Sequence, residues 1–380
     1  MEYAGFLLRR ERLARNWSQE GLCSGICTVS YLSKIEQGKA APSPEILKQL
    51  MERMELCWNE ADSNMKQIID RLYEALFSYD EEFESMAAAT EGALFRYSPC
   101  GPDWLLLEQM ALPENRRTPL DPGLECLLNN RQLALQRVLQ KQYDEAVRLH
   151  PSAYFYSTAG MQYYYTGRIT EALEALQTAY QMAAQEGAAR LMLYCRMTMG
   201  NCCSSFFGRI NLDSMEPHYA IARRLAKSLH EDELLATIDY NTASTQLEAG
   251  QYEKALTYFQ SLEAPGRMQL HKLAICCEKL GRTDEALDAL DRAEQTESDR
   301  WMAQDLEESL LRLVRMRIQD PGYLKNQDYG RLLIACFDRC RKELPSGFAV
   351  FHLPWVIEWL EANRQYKQAL ALLKDFPDSQ

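Results

Sequence analysis

Long hydrophobic runs are missing from this 380-residue chain. Its longest uncharged stretch, about residues 150–167, is rich in Tyr, Ser and Gly and lacks the unbroken apolar character a membrane-spanning helix needs. Met1 leads almost at once to Arg9, Arg10 and Arg12, with no apolar core and small-residue cleavage site of a signal peptide, so a cytoplasmic protein without membrane contact is expected. Histidine is scarce. His150, His218, His230, His271 and His352 are scattered, and His-Glu-x-x-His, Gly-x-Ser-x-Gly and Gly-x-x-x-x-Gly-Lys are all lacking. This argues against a metal site, a serine hydrolase and a nucleotide cradle, so neither an enzyme nor a cofactor is expected. The 12 cysteines contain no Cys-x-x-Cys: Cys202-Cys203 and Cys276-Cys277 are adjacent, while Cys23/Cys27 and Cys336/Cys340 are four apart. Such spacing in an intracellular chain reads as reduced thiols acting as small core residues. Cys202 or Cys203 with His218 makes a weaker case for a nucleophile pair than for an apolar cysteine on a helix.

Positive charge is also short, with 42 Lys and Arg against 54 Asp and Glu, a net charge of −12. The deficit is uneven. Residues 1–56 hold eight cations and seven anions, a balance of +1, so the remainder carries −13. An acidic body disfavours nonspecific nucleic-acid binding, whereas a head with cations at Arg9, Arg10, Arg12, Arg15, Lys34 and Lys39 can still meet phosphates.

What is present begins with Ser18 to Gly38. Ser18 is a good N-cap, and Leu22 and Ile26, four apart, give a short helix from about Gln19 to Gly25 an apolar stripe. After a turn, Thr28 caps a second helix whose Leu32 and Ile35 face inward, leaving Val29, Ser30, Ser33, Lys34 and Gln37 outward or flanking. Short side chains let a helix lie deep in a major groove, where hydroxyls bond either base type and a methyl meets the thymine methyl. Ser43 with Pro44 and Glu45 opens a further helix carrying Ile46, Leu47, Leu50 and Met54, and the head closes near Leu56.

Gln19, Ser30-Tyr-Leu-Ser-Lys-Ile-Glu36, Gly38 and Pro42-Ser43-Pro44 resemble the helix-turn-helix of the phage-repressor and Xre-like regulators over roughly the first 56 residues. The short turn Gly25-Ile26-Cys27 resembles the branch found in the RRNPP peptide-pheromone receptors of Gram-positive bacteria. That resemblance implies a lambda-repressor-like fold, Gln19 on a phosphate, and Val29, Ser30 and Ser33 facing bases. The DNA-contacting set is therefore Gln19, Thr28, Val29, Ser30, Ser33, Lys34, Gln37 and Lys39. A small, weakly basic module of this kind needs a second copy for useful affinity, which points to a homodimer on double-stranded DNA with half-sites a helical turn apart.

From about Leu124 the chain repeats itself: QYDEAV at 142, GRITEAL at 167, GQYEKAL at 250, GRTDEAL at 281 and NRQYKQAL at 363. Each phrase sets a turn before a helix whose small Ala packs closely on its neighbour. Gly250 and Gly281 are 31 residues apart, and Gly200-Asn201 and Gly208 mark a further, longer repeat. These phrases resemble the tetratricopeptide repeat, which implies a right-handed α-helical superhelix with first helices lining a concave groove. The expected organisation is all-α: residues 1–56 a DNA head, 57–123 a helical connector or degenerate first repeat, and 124–380 the repeat domain.

Once the Ala and Gly positions fix the packed faces, the opposite faces of the first helices carry Tyr154, Ser157, Met161, Tyr164 and Tyr165; Tyr194, Met197, Asn201 and Ser204; Thr237, Tyr240, Ser244 and Leu247; and Met268, His271, Ile275 and Glu278. A surface poor in charge and rich in Tyr, Met, amide and hydroxyl groups suits a short peptide, with Met161, Tyr164, Tyr165, Tyr194, Met197, Asn201, Tyr240, Ser244 and His271 as contacts and Asn201 as a backbone clamp. Asn241, one step round, is expected to tie neighbouring repeats. The tyrosines packing under another helix is the competing reading. The sequence thus predicts a transcription regulator whose repeats sense a short linear peptide; the alternative is a regulator whose repeats bind a protein partner or only dimerise. Phe348 to Leu360, with Trp355 and Trp359, reads equally as a dimer surface or as a cap on the last repeat.

Overall fold

The computed structural model describes residues 2–204, 211–298, 302–344 and 346–375, and Gly208 falls outside them. Among the described residues all regular elements are helical. The head comprises α1 (Glu2–Ala14), α2 (Gln19–Cys23), α3 (Val29–Glu36) and α4 (Pro44–Arg53), followed by α5 (Ser63–Ser78), α6 (Phe83–Ala89), α7 (Gly92–Arg96) and α8 (Gly101–Met110). The rest of the chain is a series of helix pairs. These are α9 (Asn130–Leu139) with α10 (Tyr143–Leu149), α11 (Ala153–Tyr165) with α12 (Ile169–Glu186), and α13 (Ala189–Ser204) with α14 (Leu212–Leu229). They continue with α15 (Asp232–Glu248) and α16 (Tyr252–Gln260), α17 (Arg267–Lys279) and α18 (Thr283–Gln295), α19 (Gln304–Gln319) and α20 (Gln327–Glu343), and α21 (Ser346–Ala362) and α22 (Tyr366–Asp375).

The repeated phrases do the same structural job each time. The residue ending the turn sits in the left-handed region at Lys141, Gly167, Gly250, Gly281 and Arg364, with φ between 60° and 78°. A left-handed residue after a helix lets the orphan carbonyls of the last turn bond back and reverses the chain. The alanine of each phrase, at 146, 172, 255, 286 and 369, is then buried, none more than 4% exposed. Only a methyl fits where two helix backbones approach this closely.

The chain divides into two compact units, residues 1–159 with 178–191, and residues 160–177 with 192–380. In the first, the head core of Leu7, Leu8, Leu22, Leu32, Ile35, Leu50 and Met51 also takes in Leu124. Tyr3 donates to the Arg96 carbonyl at 2.9 Å, so the head rests on the α7–α8 segment. Tyr154, expected on an open face, is instead buried, its ring 4.8 Å from that of Phe77. In the second unit a continuous core runs from Ala243 to Ala369. Trp355 and Trp359 are both buried in it, so they belong to the packing of the last helix pairs and not to an open surface.

Candidate functional site

In the head, the two caps read from the sequence are made: Ser18 Oγ accepts from the Gly21 amide at 3.0 Å, and Thr28 Oγ1 from the Tyr31 amide at 3.2 Å. α2 is shorter than expected, ending at Cys23, because Gly25 already has φ 74° and turns the chain. The angle between the helices is held from behind. Arg12 donates to both carboxylate oxygens of Glu36, at 2.6 and 2.8 Å, and to the Trp17 carbonyl at 2.8 Å. Gln19 Nε2 adds a bond to Glu36 at 2.8 Å. Arg53 donates to the Leu22 and Ser24 carbonyls, placing a cation at the negative end of α2.

This frame sorts the expected DNA-facing residues. Thr28, Val29, Ser30, Lys34, Gln37 and Lys39 are exposed on one side of α3 and the turn after it, and Ser33 is half-buried, accepting from Gln37 Nε2 at 3.0 Å. Val29 is 44% exposed, an unusual place for a valine in a folded domain and a suitable one for meeting a methyl group. Gln19 is half-buried, and its bond to Glu36 leaves one amide hydrogen for a phosphate. Arg12 departs from the expectation that it meets phosphate: it is buried and spent on Glu36. Arg10 and Arg15 are both drawn to Glu11, at 2.8 and 2.7 Å.

The second unit contains a cavity of about 240 Å³ whose walls come mainly from α13, α15, α17 and α21, with Tyr164 and Tyr165 at the end of α11 and Tyr219 from α14. Six of the nine residues expected to hold a peptide line it: Tyr164, Tyr165, Asn201, Tyr240, Ser244 and His271. Met161, Tyr194 and Met197 do not. At one end Gly200 allows α13 to approach α14, since a Cβ there would stand 2.2 Å from the Tyr219 ring. That closeness lets the Tyr219 hydroxyl donate to Asn201 Oδ1, which also accepts from Asn241 Nδ2 at 3.3 Å. Asn241 thus ties α15 to α13. Asn201 is oriented by this triad, and its own amide hydrogens meet no partner among the described residues.

The other end is charged, unlike the stripe of Tyr, Met, amide and hydroxyl groups that the sequence predicts. Glu248, Lys272, Phe348, Phe351 and His352 join His271 there. Lys272 Nζ lies 4.5 Å from the Phe351 ring centroid and 5.5 Å from that of Tyr240. Burial holds the Lys272 ammonium below the usual lysine range, and it raises the Glu248 carboxyl to about 7 against the pull of Lys272. Burial, with Lys272 and His352 nearby, lowers His271 to about 3; burial likewise lowers His352 to about 4. Both imidazoles are therefore neutral at neutral pH. His352 Nδ1 lies 2.8 Å from the Phe348 carbonyl, so it carries the proton and Nε2 is an acceptor. That Nε2 and the Ser244 hydroxyl are buried without a hydrogen-bond partner, and the His271 ring has only the Leu310 backbone beside it.

Glu248 follows the Tyr240–Ser244 stripe by one more helical turn and Lys272 neighbours His271, so both lay within reach of the periodicity. Tyr219 and the α21 residues carry no such local signal, because only tertiary packing brings them there. Cys202, the alternative nucleophile, has its thiol pushed up to about 12 by burial, and His218 is lowered by burial and sits 3.1 Å from Arg196. A thiol so reluctant to ionise is a packing residue.

Comparison with known proteins bears on the head. Residues 8–56 match the helix-turn-helix family HTH_3. The chain therefore carries a helix-turn-helix DNA-binding head, followed by a body of repeated helix pairs. The solved structure of Bacillus thuringiensis PlcR in complex with the peptide PapR7 and DNA is 14% identical, with a TM-score of 0.32, covering 63% of this chain and 99% of that one. None of the curated proteins matches the chain. No described helix is long and apolar enough to cross a membrane.

Proposed function

We propose that this protein is a cytoplasmic, homodimeric transcription regulator whose tetratricopeptide-like body, residues 124–380, binds a short linear peptide and thereby changes the affinity of its helix-turn-helix head, residues 1–56, for DNA. Residues 57–123 serve as the helical connector between them. Val29, Ser30 and Ser33 read bases, while Gln19, Lys34 and Lys39 hold phosphates. No catalytic step is assigned to any residue.

The observation that carries the peptide reading is the cavity of the second unit. Buried polar groups without protein partners are costly, and a ligand or ordered water completes their hydrogen bonds. Here the Ser244 hydroxyl, His352 Nε2 and the His271 ring line one cavity walled by Tyr and Phe, beside an oriented asparagine amide, the mixture that holds a peptide backbone and its side chains together. The effect on DNA requires the peptide to bind one conformation of the body better than another; a difference of about 1.4 kcal/mol shifts the ratio tenfold.

Selection of double-stranded DNA from a random pool tests the head. The full-length chain is expected to enrich a two-fold symmetric site, and Ser30→Ala with Ser33→Ala is expected to relax it at specific positions. Enrichment of no sequence at all would refute the assignment of α3 as the reading helix.

A further inference from the structure

Lys272 is a buried basic side chain of the cavity, and Glu248 is the one acid among the described residues that line it. Lys272 is 7% exposed, sits mid-helix in α17 between His271 and Leu273, and no described carboxylate lies within ion-pair distance of its Nζ. Glu248 acts on it only at longer range. Two aromatic rings face the ammonium, which softens its desolvation without supplying an anion. A buried charge normally has a partner, and the remaining neighbours here are neutral imidazoles and a hydroxyl.

The volume also constrains the ligand. About 240 Å³ is below the roughly 300–1,000 Å³ of pockets that enclose a drug-sized ligand, so the cavity takes one end of a peptide and the rest lies outside it. The polar atoms suit such an end. Neutral His271 has one donor and one acceptor nitrogen, Ser244 Oγ can donate to an anion, and His352 Nε2 accepts an N–H.

Resting on the peptide reading above, we infer that the cavity receives the carboxyl-terminal end of the peptide, its carboxylate against Lys272 and its last side chain among Tyr240, Phe348 and Phe351. An amino-terminal ammonium in the same place would put a second cation beside Lys272. Asn201 and Asn241 then mark the direction in which the rest of the peptide backbone leaves, which fixes the polarity of the bound chain along the cavity.

The test uses two synthetic libraries of random hexapeptides, amino-acetylated and identical except that one ends in a free carboxylate and the other in a carboxamide. Each is incubated with the full-length protein, and retained peptides are identified by mass spectrometry and titrated singly. The expected result is enrichment from the carboxylate library, with the amide of each enriched sequence binding about tenfold or more weakly, as for loss of a charge-assisted contact. Lys272→Met is expected to abolish the preference and Lys272→Arg to keep it. Peptides that bind equally in both forms would overturn the carboxylate assignment and leave the peptide reading standing. Retention of no peptide from either library would overturn both. The comparison of acid with amide is made on the unaltered chain, so it does not depend on how any variant folds.

Discussion

Arg12 and Glu36 show how a charged pair can serve geometry in this head. Both side chains are under a tenth exposed, and the bidentate contact joins α1 to the last turn of α3, so the pair sets the direction in which α3 presents its outer face. Removing one partner strands the other as a buried charge, which costs about 3–5 kcal/mol. Glu36→Gln is therefore expected to lower the denaturant midpoint of the head substantially, with Arg12→Met/Glu36→Leu recovering much of the loss; equal stability of wild type and Glu36→Gln in urea would contradict this. The cavity imidazoles act through pH. His271 and His352 are held at about 3 and 4, below their ordinary 6.5, so the unfolded chain takes up protons first and stability is lost as pH falls from 6.5 toward those values. Glu248, raised from 4.5 to about 7, works the other way: its contribution is full below pH 4.5 and lost as pH rises through 7. Two imidazoles outweigh one carboxyl, so acidification from pH 6.5 to 4.5 is expected to cost the second unit on the order of 1–3 kcal/mol from this cluster. Urea unfolding of a His271→Met/His352→Met variant should show a flatter pH dependence than the wild type; identical slopes would remove these groups from the account. Ligand binding has its own sign. A carboxylate brought to Lys272 raises the proton affinity of Lys272, His271, His352, Glu248 and the cavity tyrosines Tyr164, Tyr165, Tyr219 and Tyr240; Glu248, at about 7, titrates in the neutral range, so peptide affinity should fall as pH rises from 6 to 8.

Helix ends and crossings carry the next level of specification. Thr28 caps α3, the proposed reading helix, and Thr28→Ala is expected to cost about 1 kcal/mol and to weaken DNA binding by loosening the first turn of α3. Thermal melting and anisotropy of the variant check both. Gly200→Ala sets a methyl 2.2 Å from Tyr219, and the repacking should cost about 1–3 kcal/mol and disturb the Asn201 triad, read as lower stability and weaker peptide retention. Wild-type values for both would contradict the crossing. These elements also show what a single sequence discloses. The caps at Ser18, Thr28 and Ser43 and the alanines at 146, 172, 255, 286 and 369 were legible because each acts within a few residues of itself. The turn from α14 to α15 was not, since His230 takes the left-handed position that Gly usually marks. Half of the cavity was legible for the same reason: Asn201, Tyr240, Ser244 and His271 recur at helical spacing, whereas Tyr219, Phe351 and His352 arrive from other helices. Arg12 looked like one more phosphate cation, and only its tertiary partner Glu36 reveals it as a strut.

For the whole chain, charge and ligand binding make joint predictions. Arg9, Lys34 and Lys39 are exposed on each head, and two heads would offer about six phosphate contacts, for a salt slope of about −5 in log K against log salt. A slope near −3 would indicate a single head on the DNA. The acidic remainder, at −13, disfavours nonspecific DNA and sharpens the dependence on the head contacts. The central claim is that one molecule couples a reading helix to a peptide cavity. It is tested most directly by fluorescence anisotropy of the full-length protein on DNA from upstream of its own gene, at fixed salt, with and without a peptide fraction from spent medium of its host. The account predicts a specific complex whose affinity moves several-fold with the fraction and no longer moves when Lys272 is replaced by Met. A specific complex that the fraction leaves unchanged, at every concentration tried, would contradict it.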